Sequence, residues 1–233
     1  MDFVEFVAHA DSFACVRPTG RTKVPHITGV RVNRTDRGEA AVSRADEVRA
    51  RILAAAVEVF SRRGYRAASM NDVAEKVGLR KPTLYHYVRT KQDLLVAVYE
   101  EVLDESLTSA RTIVAGAPST REAVRRLIVE RVAYTCEHRD LLTICFEEES
   151  ELPDELAAPI LARRRAFEDL VLEAVQAHLR ATGRTLPMTP RTYVNACLGA
   201  ANWTYKWFDP AGPRSPRELG DDVAAVLLPV LDG

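Results

Sequence analysis

Residues 69–91 read SMNDVAEKVGLRKPTLYHYVRTK, two short helical segments joined by a glycine. Ser69 and Asp72 stand as S-x-x-D, a capping box that starts a helix on its own hydrogen bonds. Gly78 ends that helix, because the turn needs a left-handed residue that glycine adopts without steric cost. Val73, Val77, Leu79, Leu84 and Tyr87 recur at spacings that bury one side of each segment against the other. Ala74 falls where the two axes must come close. The second segment opens on Arg80 and Lys81, and the whole is the pattern of a helix-turn-helix, whose second helix lies in the DNA major groove.

Helix signals recur in regular order on both sides of this motif. Upstream, Ser43 and Asp46 make a box, and Val48, Ile52, Ala56 and Phe60 line one face until Gly64. Downstream, Thr90 and Asp93 open a long helix towards Ala115, and Ser119 with Glu122 opens another to about Glu137. A shorter helix after His138 carries Leu141, Leu142, Ile144 and Cys145. Pro153 and Asp154 introduce a long helix to about Ala181, ended by Gly183. Thr189 with Pro190 begins the eighth helix, and Ser215, Pro216 and Glu218 begin a ninth that ends near Leu231. With breakers only between segments and no alternating strand pattern, the chain reads as all-α with about nine helices. It divides into a flexible extension over 1–43, a helix-turn-helix head over 44–93 and a larger helical body over 94–233. In the extension, Phe3–Phe13 suits a helical turn or two, and Arg31, Arg34 and Arg37 suit a basic arm.

Composition narrows the function classes. No run of the 233 residues approaches the ~20 apolar residues of a membrane span, and Asp2 and Glu5 stand where a secretory signal carries basic charge. Cys15, Cys136, Cys145 and Cys197 form no C-x-x-C pair, and scattered thiols suit a reducing cytoplasm. The net charge of −1 hides an asymmetry: residues 44–93 hold 11 Lys/Arg against 6 Asp/Glu, while 94–233 hold 15 against 22. A basic module on an acidic body is what a phosphate-binding head on a different kind of domain should look like. His9, His26, His86, His138 and His178 are isolated, and no Gly-rich phosphate loop occurs. The chain therefore offers no metal site, no cofactor site and no catalytic set beyond Glu147–Glu149 near His138.

From Arg49 to Leu95 the sequence resembles the TetR family of transcriptional regulators. The likeness rests on ILAAAVEVFSRRGYRAASM, on DVAEKVGL and on TLYHYVRTKQDLL, with Leu84, Tyr85, Tyr87 and Lys91 at the family's positions. Val88 replaces the family's usual phenylalanine and Pro82 its frequent glycine. The resemblance implies a homodimer that sets two heads on a short palindromic operator and is released, as a repressor, by a small effector in the body. Two recognition helices must then stand about one helical turn apart, ~34–36 Å.

Within the head, Ser69 and the amides after it are placed to hold a phosphate. Arg80, Lys81, Thr83 and His86 are the exposed positions that reach base edges, and Tyr85, Tyr87 and Lys91 position the backbone. The two last helices carry the dimer expectation through Ala196, Gly199, Ala200 and Ala201 on one and Val223, Val226, Leu227 and Val230 on the other. The effector is harder to read. The segment NWTYKWFDPAGPRSPREL, with Asn202, Trp203, Lys206 and Trp207, resembles regulators of this family that sense acyl-CoA thioesters or lipid-derived metabolites. Arg163, Arg164 and Arg165 offer cations for CoA phosphates, and Tyr99, Tyr134, Phe146, Phe167 and Trp203 offer a pocket lining. Each has a plainer reading, as a solvated face or as core. Glu147, Glu148 and Glu149 point instead to a lipophilic cation, as in a repressor of drug efflux, or to an ordinary acidic helix end. A redox sensor using Cys136 and Cys145 and a small helical enzyme are the remaining alternatives.

Overall fold

The computed structural model describes residues 44–152 and 154–232. The extension over 1–43, with its expected helical turn, its basic arm and the cap at Ser43, lies outside the described residues, as does Pro153. Nine α-helices follow in the described chain: α1 Arg44–Arg63, α2 Met70–Val77, α3 Lys81–Tyr87, α4 Lys91–Gly116, α5 Thr120–Glu137, α6 Arg139–Glu147, α7 Asp154–Thr182, α8 Pro190–Trp207 and α9 Pro216–Asp232. One 3-10 turn, Glu149–Glu151, stands between α6 and α7, and no strand occurs among the described residues.

Local chemistry sets most of the helix ends. Ser69 and Asp72 form the expected reciprocal box, and so do Thr90 and Asp93, with both backbone bonds at 3.0 Å. Gly64, Gly78 and Gly183 take left-handed backbones, at φ 77°, 74° and 68°, where each closes a helix. At Ser119 only half of the box forms: its hydroxyl accepts from the Glu122 N–H at 3.2 Å. The Glu122 carboxylate turns to Arg125 and Arg126, both at 2.8 Å, because two guanidinium groups outbid one neutral amide. Those hydrogen bonds hold its pKa down at about 2.

Apolar packing falls into two main lobes joined by one rod. The first gathers α1, α2, the buried Leu84 of α3, α6 and the first half of α4, around Phe60, Leu95, Tyr99 and Leu142. The second gathers α5, α7, α8, α9 and the Leu107–Ala110 stretch of α4. The α4 helix therefore belongs to both, starting just after α3 in the first lobe and ending in the second. Where α9 crosses α5 the backbones nearly touch, since a Cβ at Gly220 would stand 2.8 Å from the Val129 carbonyl oxygen. Only glycine permits that approach.

Candidate nucleic-acid interface and effector cavity

The α3 helix presents an open, positively charged surface. Leu84 is fully buried and pins the helix, while Arg80, Lys81, Thr83, Tyr85 and His86 are exposed. None of those five side chains makes a hydrogen bond or ion pair among the described residues. From Lys76 to Gln92 the chain carries no carboxylate, so no internal acid competes for an incoming phosphate. Tyr87 and Val88 are half-buried and pack on the first lobe.

Ser69 and Lys91 sit differently from the expectation. The Ser69 hydroxyl and N–H both donate to the Asp72 carboxylate, at 2.7 and 2.9 Å, which leaves only the amides after Ser69 for a phosphate. Lys91 donates to the carbonyls of Tyr65, Arg66 and Ala68, at 2.8, 3.2 and 3.0 Å. Its ammonium also lies 4.3 Å from the centre of the Tyr65 ring. With three donors on three carbonyls, the side chain clamps the α1–α2 loop to the start of α4; in this arrangement it does not reach out to grip a phosphate.

The same loop is tied to the body by acids. The Tyr65 N–H donates to Glu148 at 3.3 Å, and Arg66 pairs with Glu151 at 2.7 Å. Glu149 holds Arg164 through two bonds of 3.0 and 3.1 Å, and Glu147 pairs with Lys206. The run Glu147–Glu149 is thus a joint: Glu147 and Glu149 are ion-paired and Glu148 accepts a backbone N–H, which weakens its support for a cationic effector. Tyr65 stacks edge-on against Phe60 at 5.1 Å, and burial pushes its hydroxyl pKa up to about 12, helped by Glu151 and Glu148.

Within the body two narrow cavities share Leu127, Arg131 and Phe167. One runs among α5, α7 and α8 past Ile128, Val171, Val194 and Cys197, and the other lies between α4 and α5 beside Ser106, Ala110 and Tyr134. Each holds about 20 Å³ of free space, enough for a water-sized group, so a larger guest requires the helices to part. Arg131 bridges them: Nε donates to Asn202 Oδ1 at 2.6 Å and Nη1 to Ser106 Oγ at 3.1 Å. Its guanidinium lies 5.6 Å from the Phe167 ring centre and 6.0 Å from that of Tyr134, and burial pulls its pKa below the ordinary value.

Of the six residues expected to meet an effector, Tyr134 and Phe167 line this space. Tyr99 belongs to the first lobe and donates its hydroxyl to the Cys145 carbonyl at 2.7 Å. Phe146 packs on Tyr205, Trp203 is 45% exposed, and Lys206 pairs with Glu147. Periodicity marked these as apolar or basic positions but could not say which neighbour each helix face would meet. Arg131, Ser106 and Tyr193 were missed, and an arginine followed by the apolar Val132 and Ala133 mid-helix in VERVAYTC was the signal available. Arg163 pairs with Asp104 at 3.0 Å and Arg164 with Glu149, so those two cations are not open to CoA phosphates. Cys136, Cys145 and Cys197 are buried, and burial raises the Cys145 and Cys197 pKa values to about 12 and 11, against a role as reactive thiolates. No group of three or more His, Cys, Asp or Glu able to hold a metal occurs among the described residues.

The outer face of the last two helices also differs in detail. Ala201 is buried, and Val223 and Leu227 pack inward. The exposed stripe is instead Ala196, Ala200, Trp203 and Trp207 on α8 with Ala225, Val226, Pro229 and Val230 on α9, Val226 being 75% exposed. No helix of the described chain is long and apolar enough to cross a membrane.

Comparison with known proteins meets this geometry at both ends. Residues 52–98 match the family described as bacterial regulatory proteins, tetR family, and residues 117–231 match the tetracyclin repressor-like C-terminal domain. The chain is 26% identical over 193 residues to the HTH-type transcriptional repressor KstR2 of Mycolicibacterium smegmatis, across 80% of this chain and 89% of that one. A transcriptional regulator of the TetR/AcrR family from Thermobifida fusca superposes with a TM-score of 0.63 at 31% identity, over 78% of this chain and 97% of that chain. AibR, solved in complex with isovaleryl coenzyme A and operator DNA, superposes with a TM-score of 0.70 at 26% identity, over 78% and 99% of the two chains.

Proposed function

The chain belongs to the TetR family of transcriptional regulators, and from that premise we propose that it works as a homodimeric repressor, released from a palindromic operator by a small hydrophobic effector. Residues 44–93 then serve as the DNA-reading head and 94–233 as the effector and dimer body, acting on nucleoid DNA in the cytoplasm. One observation carries the reading of the head: Arg80, Lys81, Thr83, Tyr85 and His86 stand exposed on one short helix with no internal partner. Such a surface suits base edges and phosphates, with Arg80 and Lys81 directed to guanine and Tyr85 to the backbone. The apolar stripe on α8 and α9 supports the dimer, because exposed Val226 and Val230 on α9 and exposed Trp203 on α8 are what a second copy covers.

The route from effector to operator runs along α4. Ser106 touches Arg131 in the cavity, and Lys91 begins the same helix inside the head, roughly 22 Å away at 1.5 Å per residue. Opening the cavity displaces α4, and its Lys91 clamp carries the head with it, so the spacing of two heads changes. AibR's complex with isovaleryl coenzyme A and operator DNA supports an acyl-CoA or lipid-derived metabolite as the effector class.

Electrophoretic retardation with DNA from upstream of the gene tests the reading. The wild-type chain should retard it, and Lys81→Ala with Tyr85→Ala should abolish retardation while helicity and dimer mass stay unchanged. Full retardation by that double variant places the reading surface elsewhere. Sedimentation of a monomer at micromolar concentration overturns the dimer.

A further inference from the structure

We infer that Arg131 is an anion anchor, so that the body cavity takes an apolar molecule ending in an anionic oxygen group, a carboxylate or a phosphate. The inference rests on reading the body as an effector domain and adds the charge and placement of the ligand's head group.

Arg131 differs from its neighbours in its partners. Arg121, Arg125, Arg163, Arg164 and Arg191 each pair with a carboxylate. Arg131 has the side-chain oxygens of Asn202 and Ser106, both neutral, and no carboxylate within ion-pair distance among the described residues. The nearby acids are engaged: Glu105 accepts from the Tyr134 hydroxyl at 2.7 Å, and Glu130 pairs with Arg217 at 3.2 Å. Removing a guanidinium from water without a counter-charge is unfavourable, and the rings of Phe167 and Tyr134 compensate only in part. Arg164, on the neighbouring α7, adds positive potential at the same point. An anionic oxygen brought to this guanidinium meets a charge that the protein itself leaves uncompensated.

The walls beyond Arg131 set the rest of the molecule. Along the α5–α7–α8 cavity they are Ile128, Val171, Val175, Val194 and Leu198, and the Tyr193 hydroxyl is already bonded to the Leu227 carbonyl at 3.2 Å. They reward an apolar chain and offer nothing to a second polar group. The same guanidinium disfavours a lipophilic cation.

Calorimetric titration of the full chain with five ten-carbon probes tests the inference: decanoate, decyl phosphate, decanoyl-CoA, decanol and decylamine. At least one of the three anions should bind about tenfold or more tightly than decanol, and decylamine should bind more weakly than either. Decanoate alone would identify a carboxylate, whereas decyl phosphate or decanoyl-CoA would identify a phosphate. Arg131→Gln should cost the preferred anion about tenfold to a hundredfold in affinity and leave decanol unchanged, while Arg131→Lys should restore part of the loss. No anion binding, decylamine binding as well as the anions, or an anion preference surviving in Arg131→Gln would overturn the inference. If Arg131→Gln does not fold, the ranking of probes on the wild-type chain still decides. An anion that binds yet leaves the operator complex intact in retardation removes the release mechanism and leaves the anchor standing.

Discussion

The α3 surface and the α5–α8 interior both hold cations without carboxylates, yet the two absences have different meanings. Arg80 and Lys81 are exposed, where water solvates a lone charge and its energy says little by itself. Their weight comes from position, at the start of a helix whose Leu84 is locked into a core and whose flanks contain no acid. Arg131 carries its weight in energy, since its side chain is half-buried and its guanidinium is partly taken from water near two aromatic rings. An exposed cation must be argued from geometry. A desolvated one argues for itself.

The contrast also separates what could be read in advance from what could not. Capping boxes at Ser69, Thr90 and Ser215 and left-handed glycines at 64, 78 and 183 involve residues within a few positions of one another, and all fall where the pattern placed them. The α3 surface was legible for the same reason, because Leu84 alone fixes which side of a two-turn helix faces outward. The body offered no such anchor. Helices α5, α7, α8 and α9 have apolar residues on more than one side, and which side becomes cavity, core or outer stripe depends on partners far away in sequence. So Trp203 lies outside while Arg131 lies within, and Val223 turns inward while Val226 turns outward. Gly220 gave no hint of the Val129 backbone it would meet.

Lys91 sharpens the comparison most, because it is a head cation with internal partners. Lys91→Met removes three charge-assisted bonds to the Tyr65, Arg66 and Ala68 carbonyls and should lower stability by roughly 3 kcal/mol. Denaturant unfolding measures that loss directly. Operator affinity should fall as well, while anion binding in the body stays unchanged. Were the residue a phosphate contact instead, stability would hold and the salt dependence of operator binding would become shallower.

Glycine substitutions compare the regions at the level of packing. At Gly78 in the head an added Cβ meets nothing within 4 Å, so Gly78→Ala bears only the left-handed backbone cost, about 1 kcal/mol. At Gly220 the same methyl meets the Val129 carbonyl, Cα and side chain at 2.8 to 3.0 Å. Gly220→Ala must push α9 away from α5 and should cost about 2 kcal/mol or more. Equal thermal shifts for the two variants would mean that the α5–α9 crossing yields freely, and with it the exposed apolar stripe on α9.

Acid groups give the smallest effect and the clearest difference of sign. In the head, the Asp72 pKa is lowered from 3.8, first by the hydrogen bonds from Ser69, so its contribution is present above that value and lost as pH falls. In the body, burial raises Glu101 from 4.5 to about 7, with Glu105 and Asp104 adding to the shift. Between those two values the folded chain keeps a proton that the unfolded chain has released, so stability declines as pH rises through the window and then levels off. Glu101→Gln should remove that slope and raise stability at pH ~8 by about 1 kcal/mol, after allowance for solvent screening at a group still partly open to water. Unfolding midpoints taken at intervals across the window read the slope. A slope that persists in Glu101→Gln would mean that another body group titrates there. A slope that vanishes would show that the body carries a strained carboxyl on the same α4 rod that ends in the head's Lys91 clamp.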